Sequence, residues 1–169
     1  ELTLHPELDF EMKVADANSD LQIEQIQALV KSGIDILLVT PNEAKPLTAI
    51  IEEVYKSGIP VILIDRKTDS ELYTSFIGAD NYEIGVTAAD YIASQTDGKG
   101  KILELQMSMA ISPAVERHRG LMDGLRKYPG MQIEGHLEIP MLLEDPENDF
   151  PGFLREHPEA TIIFGQTDL

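Results

Sequence analysis

The sequence contains no cysteine. That excludes disulfides, thiol nucleophiles and cysteine-based zinc sites, and it fits an oxidising compartment as well as a reducing one. Basic charge is scarce. Thirteen Lys and Arg face 30 Asp and Glu, for a net charge of −17 and a pI of about 4.4. Phosphate backbones and anionic lipid surfaces recruit basic patches, so this balance argues against nucleic acid or a lipid surface as direct partner. No apolar run approaches the roughly 18 residues that span a bilayer. No signal peptide is visible, no segment is of low complexity, and no GxSxG elbow is present. Nothing pairs a nucleophile with a base at a recognisable spacing, so no catalytic residue is assigned. Glu1 is not a natural start, and the chain is read as a fragment cut at both ends.

The 169 residues are 43% hydrophobic and 25% charged, ordinary values for a globular protein of one domain or two small ones. Strand and helix patterns alternate throughout. Residues 9–15 alternate apolar and polar as a half-buried strand does, and residues 19–32 carry a helical stripe with Ser19 as N-cap and Gly33 as the stop. Short apolar runs at 35–39 and 60–64 read as buried strands on either side of a helix at 45–58. Further strands are predicted at 73–78, 102–106, 131–139 and 161–165, with helices at 81–96, 112–128 and 149–157. Alternation of this kind predicts an α/β protein of parallel sheets flanked by helices. The abrupt turn TDGKGK at 96–101 marks the expected boundary between a first lobe, 1–98, and a second, 99–169. The GKGK within it lacks phosphate-loop spacing and is followed by a strand.

Parallel sheets bind ligands beyond the carboxyl ends of their strands. Three such ends are polar here: Thr40-Pro41-Asn42-Glu43, Asp65-Arg66, and Gln166-Thr167-Asp168. A fourth cluster, Glu116 to Arg119, lies in the helix after strand 102–106. Asp65 accepts hydrogen bonds and Arg66 donates them in a fixed fork, a pairing suited to a small polyhydroxylated ligand. The alternative is a structural ion pair or two solvated loop charges. No two of the four histidines have ligand spacing, and His118 reads as a helix-surface residue. The acidic stretch 144–149 lacks the glycine and glutamate of a calcium loop, so no metal is assigned. Asp80 and Asn81 are placed to cap a helix. Tyr82, Tyr91, Phe76 and Phe164 read as core.

The segments LLVTPNEAKPLTAIIEEVYKSGIPVILIDRK, YTSFIGADNYEIG, KILELQ with SPAVERHRG, and IIFGQTD, in that order, resemble the type I periplasmic sugar-binding proteins of the ribose-binding kind. The wording of TPNEAKPLTAIIEEVY and IGADNYEIG is most similar to periplasmic sensor domains of Bacteroidetes hybrid two-component systems. The resemblance implies a two-lobed fold that closes about a hinge on a monosaccharide or small oligosaccharide. It implies no cofactor, a periplasmic location, and a membrane-anchored kinase module in the same polypeptide; a homodimer is compatible with it. Asp65 and Arg66 match a sugar-binding Asp-Arg pair, and Arg117 matches an arginine of the second lobe. The alternative for Arg117 is a helix charge paired with Glu116. Thr40 and Thr167 stand where ribose binders have asparagine, and Asn42 and Asp168 join the expected ligand set. QMSMAISPA replaces a glycine-containing loop. The resemblance also places a first strand before Glu1 and the rest of the second lobe after Leu169. Two other roles share the fold: the effector domain of a lac-repressor-type regulator, and the free solute-binding component of a sugar ABC transporter.

Overall fold

The computed structural model describes residue 5, residues 7–139 and residues 150–167. In chain order the elements are α1 (Ser19–Ser32), β1 (Leu37–Val39), α2 (Ala44–Lys56), β2 (Val61–Ile64), β3 (Ser75–Ile77), α3 (Asn81–Gln95), β4 (Lys99–Gln106), α4 (Ser112–Leu125), β5 (Gly130–Glu138), α5 (Phe150–Glu156) and β6 (Ile162–Gly165). They form two parallel sheets, ordered β1-β2-β3 and β5-β4-β6. The predicted strands and helices from residue 19 onward are all present, with ends moved by a few residues.

Each sheet has its own core. In the first, Leu37, Val39, Val61 and Leu63 pack with Ile26 of α1 and with Leu47, Ile50, Ile51 and Val54 of α2. These strands are fully buried on one face only. Leu38 on the opposite face remains 48% exposed. In the second, Ile102 of β4 packs with Leu121 and Leu125 of α4, Met131 of β5, and Ala89 and Ala93 of α3. Removing such side chains from water drives assembly of both units, at about 1.5–3 kcal/mol for each large aliphatic group.

Placement of α3 corrects the expected lobe boundary. It packs on α4 so closely that a Cβ on Gly85 would lie 2.1 Å from the Arg117 carbonyl oxygen, and one on Gly120 would lie 2.0 Å from that of Tyr82. The change of core therefore falls near residues 78–80, between β3 and α3, and the turn at 96–101 lies inside the second unit. A sharp turn marks a change of direction, not necessarily a change of core.

Other local expectations are also corrected. Residues 9–15 join no ladder among the described residues and leave Phe10, Met12 and Val14 exposed. Alternation chooses a face, but a strand also needs a neighbour to satisfy its backbone. Asn18, not Ser19, caps α1, its side chain accepting from the Leu21 N–H at 2.9 Å. Gly33 ends that helix at φ +87°, as expected. Asp80 caps α3 by accepting from Glu83 N–H. Tyr91 is 65% exposed, not core. The acidic stretch 144–149 lies outside the described residues.

Candidate functional site at the strand ends

The carboxyl ends of β1, β2 and β4 meet at one junction. Ala44 N–H donates to the Ala110 carbonyl at 3.0 Å. Lys67 N–H donates to Ser112 Oγ at 2.7 Å, and Lys67 Nζ donates to Glu116 Oε1 at 3.0 Å. Hydrogen bonding to the Glu116 carboxylate raises the Lys67 pKa above the ordinary lysine value, against the opposing effect of part burial. Lys67 Nζ also sits 4.8 Å from the centre of the Phe76 ring. An open cleft of about 760 Å³ lies beside this contact, lined by Glu43, Lys45, Lys67, Asp69, Glu116 and Arg119 among others. Asp65, Arg66 and Arg117 are not in its lining. The hollow belongs to the flanks of α2 and α4, whereas those three residues belong to the strand ends and the α3–α4 seam.

Asp65 is the turning point after β2. Its φ is +63°, and Arg66 N–H reaches back to the Ile64 carbonyl at 2.6 Å, closing a tight γ-type turn around it. Asp65 N–H still continues the sheet, donating to Ile77 O at 2.9 Å. The turn leaves the Asp65 side chain 67% exposed and draws Arg66 inward to 19%. A residue other than glycine in this region of φ is strained, and such strain collects at sites where a side chain must be aimed. The two charges are only loosely paired, with Arg66 Nε 3.8 Å from Asp65 Oδ2. Arg66 is instead anchored through Nη1 to the Asn42 carbonyl at 2.9 Å.

Asn42 is committed to the protein. Its Nδ2 donates to Ala17 O and Ser19 Oγ, and its N–H donates to Gln22 Oε1. Both amide hydrogens are used, so its side chain fastens the start of α1 and presents no donor to a ligand. Thr40 is exposed, and its carbonyl accepts from Gln22 Nε2. Thr167 is exposed beyond β6. Asp168 lies outside the described residues.

Arg117 is held from two sides. Nε donates to Asn81 Oδ1 at 2.9 Å and Nη1 donates to the Gln166 carbonyl at 2.5 Å. Among the described contacts, that leaves three of its five N–H groups for a ligand. The expected alternative, pairing with Glu116, is not what the side chain does: Glu116 takes Lys67. Sequence reasoning treated Asn81 as a cap, yet it is 3% exposed and orients Arg117.

Behind Arg117 lies a polar cluster. Glu104, fully buried, accepts from Gln166 Nε2 at 2.9 Å and from Gln106 Nε2 at 3.0 Å, and its Oε2 is 2.7 Å from His118 Nδ1. His118 is therefore tied to the interior and only 30% exposed, not the free surface residue expected. The signal was present: in the strand 102–106, Ile102, Glu104 and Gln106 share one face, and a carboxylate beside a core isoleucine needs partners. Among the described residues, no group of three or more His, Asp or Glu is placed to hold a metal ion, and no helix is long and apolar enough to cross a membrane.

Two parallel sheets with separate cores, their carboxyl strand ends meeting at one junction lined by anchored charges, define the class of two-lobed α/β binding proteins. The chain belongs to the periplasmic binding protein domain family, whose profile matches residues 5–167, and has the type I fold. It is similar to the fructose-binding periplasmic domain of the hybrid two-component system BT1754, with 38% identity and a TM-score of 0.87 over 95% of this chain and 54% of that one. A Mycobacterium smegmatis protein solved with β-D-fucofuranose gives 30% identity and a TM-score of 0.78, covering 90% of this chain and 53% of that one. The ribose import binding protein of Escherichia coli is 26% identical over 95% of this chain and 55% of its own length. The chain thus spans about half the length of the relatives it matches.

Proposed function

We propose that this chain is part of a periplasmic domain that clasps a monosaccharide between two lobes and serves as the sensor of a hybrid two-component protein. One observation carries the reading: Asp65–Arg66, at the end of β2 in one sheet, and Arg117, on the helix that follows β4 of the other, are each aimed by protein contacts, and Asp65 and Arg117 retain exposure or donors for hydroxyl groups. Asp65 accepts from two hydroxyls, and the guanidinium groups donate to ring and hydroxyl oxygens. No residue has a catalytic role, and no cofactor is needed. Similarity to the fructose-binding sensor domain supports both the ligand class and the signalling role.

The switch rests on closure. A ligand shifts an open–closed equilibrium only by its differential affinity for the two states. Contacts from Arg117 on one lobe and Asp65–Arg66 on the other would exist together only in the closed state. A kinase module in the same polypeptide would read the changed spacing of the lobes.

The test is a melting-temperature screen of the full-length protein's periplasmic portion with D-fructose, D-ribose, L-arabinose, D-galactose and myo-inositol. A ligand at 100 times its Kd stabilises by about 2.7 kcal/mol, a shift of a few degrees. The expected result is a shift with one sugar that is sharply reduced in Asp65→Ala and in Arg117→Ala. A well-folded protein that responds to none of these sugars overturns the reading. Similarity to the ribose import binding protein favours a second role, the free binding component of a sugar transporter. A kinase module downstream in the same gene product decides for the sensor, and its absence decides for the transporter.

A further inference from the structure

The buried carboxylate of Glu104 has no place in the ligand shell, yet it stands at the centre of the contacts that set Arg117. We propose that Glu104 is the positioning residue of the second-lobe half of the site, fixing Arg117 through Gln166 and His118; this rests on the reading of Arg117 as a sugar ligand.

Two routes lead from Glu104 to Arg117. Through Oε1 it receives Gln166 Nε2, and the carbonyl of that same Gln166 accepts from Arg117 Nη1. Through Oε2 it meets His118, the residue next to Arg117 on α4. His118 Nδ1 lies 2.7 Å from that oxygen and 3.2 Å from Gln106 Nε2, so the ring is packed into the same polar cluster.

Gln166 spans the gap between sheet and helix. Its Nε2 also donates to Ala114 O, its Oε1 accepts from Met107 N–H, and its own N–H donates to Leu105 O. Every polar group of Gln166 is thereby used, and the site it shapes is the first residue beyond β6. Gln106 completes the carboxylate's shell. A buried carboxylate with three partners is rigid: rotating it would strand several groups at once. That rigidity passes to the Gln166 carbonyl, and so to the angle at which the guanidinium meets a ligand. A site loose by even an ångström loses most of its advantage.

The experiment uses the full-length protein and two readouts. Glu104→Gln is close to isosteric; its carbonyl can still accept from Gln166, but its NH2 opposes Gln106. Glu104→Ala is the harsher companion, and both are checked for folding by circular dichroism. The first readout is amide hydrogen exchange in peptides spanning 105–107 and 165–167, measured without sugar. Exchange there is expected to rise about tenfold in Glu104→Gln, while peptides of α1 and α2 stay unchanged. The second is calorimetric affinity for D-fructose. Glu104→Gln is expected to weaken it by about tenfold, whereas Glu104→Gln combined with Arg117→Ala is no weaker than Arg117→Ala alone.

Unchanged exchange at both segments in folded Glu104→Gln overturns the proposal. So do losses of affinity that simply multiply in the double variant, since Glu104 would then act independently of Arg117. Failure of D-fructose to bind the unaltered protein counts against the sugar reading, while the exchange arm, which contains no sugar, still decides the positioning role.

Discussion

Lys67 Nζ and Glu116 Oε1 lie 3.0 Å apart across the junction of the two lobes, one residue beyond Arg66 and one before Arg117. The bond ties the segment that carries Asp65 and Arg66 directly to the one that carries Arg117. Lys67→Met is expected to weaken the lobe contact by about 1 kcal/mol, as for a part-exposed ion pair. The raised pKa of Lys67 fixes the pH window. A group whose folded pKa exceeds its unfolded value contributes fully below the unfolded value, ordinarily near 10.5 for lysine, and loses that contribution as pH rises through the higher folded value. The stability gap between Lys67→Met and the parent should therefore be flat through neutral pH and narrow above about pH 10.5. Urea denaturation at pH 8 and at pH 11 measures it; an equal gap at both would show that Lys67 acts through its stem alone.

Asp65 offers a sharper contrast. Its φ of +63° suits glycine, and next best asparagine. Asp65→Gly should raise the stability of the ligand-free protein by about 1 kcal/mol while abolishing the sugar response. Asp65→Asn should keep the turn and retain part of the binding. Thermal melts with and without sugar separate the two effects, and a destabilised Asp65→Gly would mean that the aspartate side chain itself holds the turn.

The α3–α4 seam admits no side chain at its closest points. Gly85→Ala and Gly120→Ala would each drive a Cβ into a backbone carbonyl. Each is expected to cost about 3 kcal/mol or more, since backbone cannot move aside as a flexible side chain can. Chemical denaturation gives the cost. Because Arg117 sits on this seam, affinity should fall in whatever fraction remains folded.

Asp90 gives a prediction in acid. Hydrogen bonds from Lys127 and Tyr128 hold its pKa below the ordinary 3.8. A depressed folded pKa contributes stability that is present above the unfolded value and lost as pH falls through the folded one. Asp90→Asn should therefore melt below the parent at neutral pH, and the difference should close below pH 3.8. A difference that persists in strong acid would assign the effect to packing.

Periodicity and turn residues were enough to predict the helices and strands described from residue 19 onward, because apolar periodicity and turn residues mark their spans even where, as in β3, α5 and β6, no residue is fully buried. What they could not convey was partnership. Residues 9–15 alternate correctly and pair with nothing described, and α3, whose sequence suits the end of the first lobe, packs on α4 at Gly85 and Gly120. The site divides in the same way. The sequence points to Asp65 and Arg66 by their place after a strand and to Arg117 by the family resemblance alone, but it does not show what supports them. Asn81 reads as a cap and Glu104 as one polar residue in a strand. Both act through residues distant in sequence, at separations of 36 for Asn81 to Arg117 and 62 for Glu104 to Gln166. Asn42 shows the converse: a polar residue at a strand end that is spent on the scaffold.

The anchoring of Arg66 by a main-chain carbonyl has a consequence for how such a domain diversifies. A carbonyl is present whatever the residue, so the guanidinium stays put while neighbouring positions change identity. Thr40 and Thr167 are exposed beyond their strands. Exchange there leaves the charged frame undisturbed, and on the sugar-binding reading proposed above each exchange would alter which hydroxyl pattern is accepted. On that reading, selectivity would be rewritten at the periphery of the site, one small polar residue at a time, on a constant electrostatic chassis.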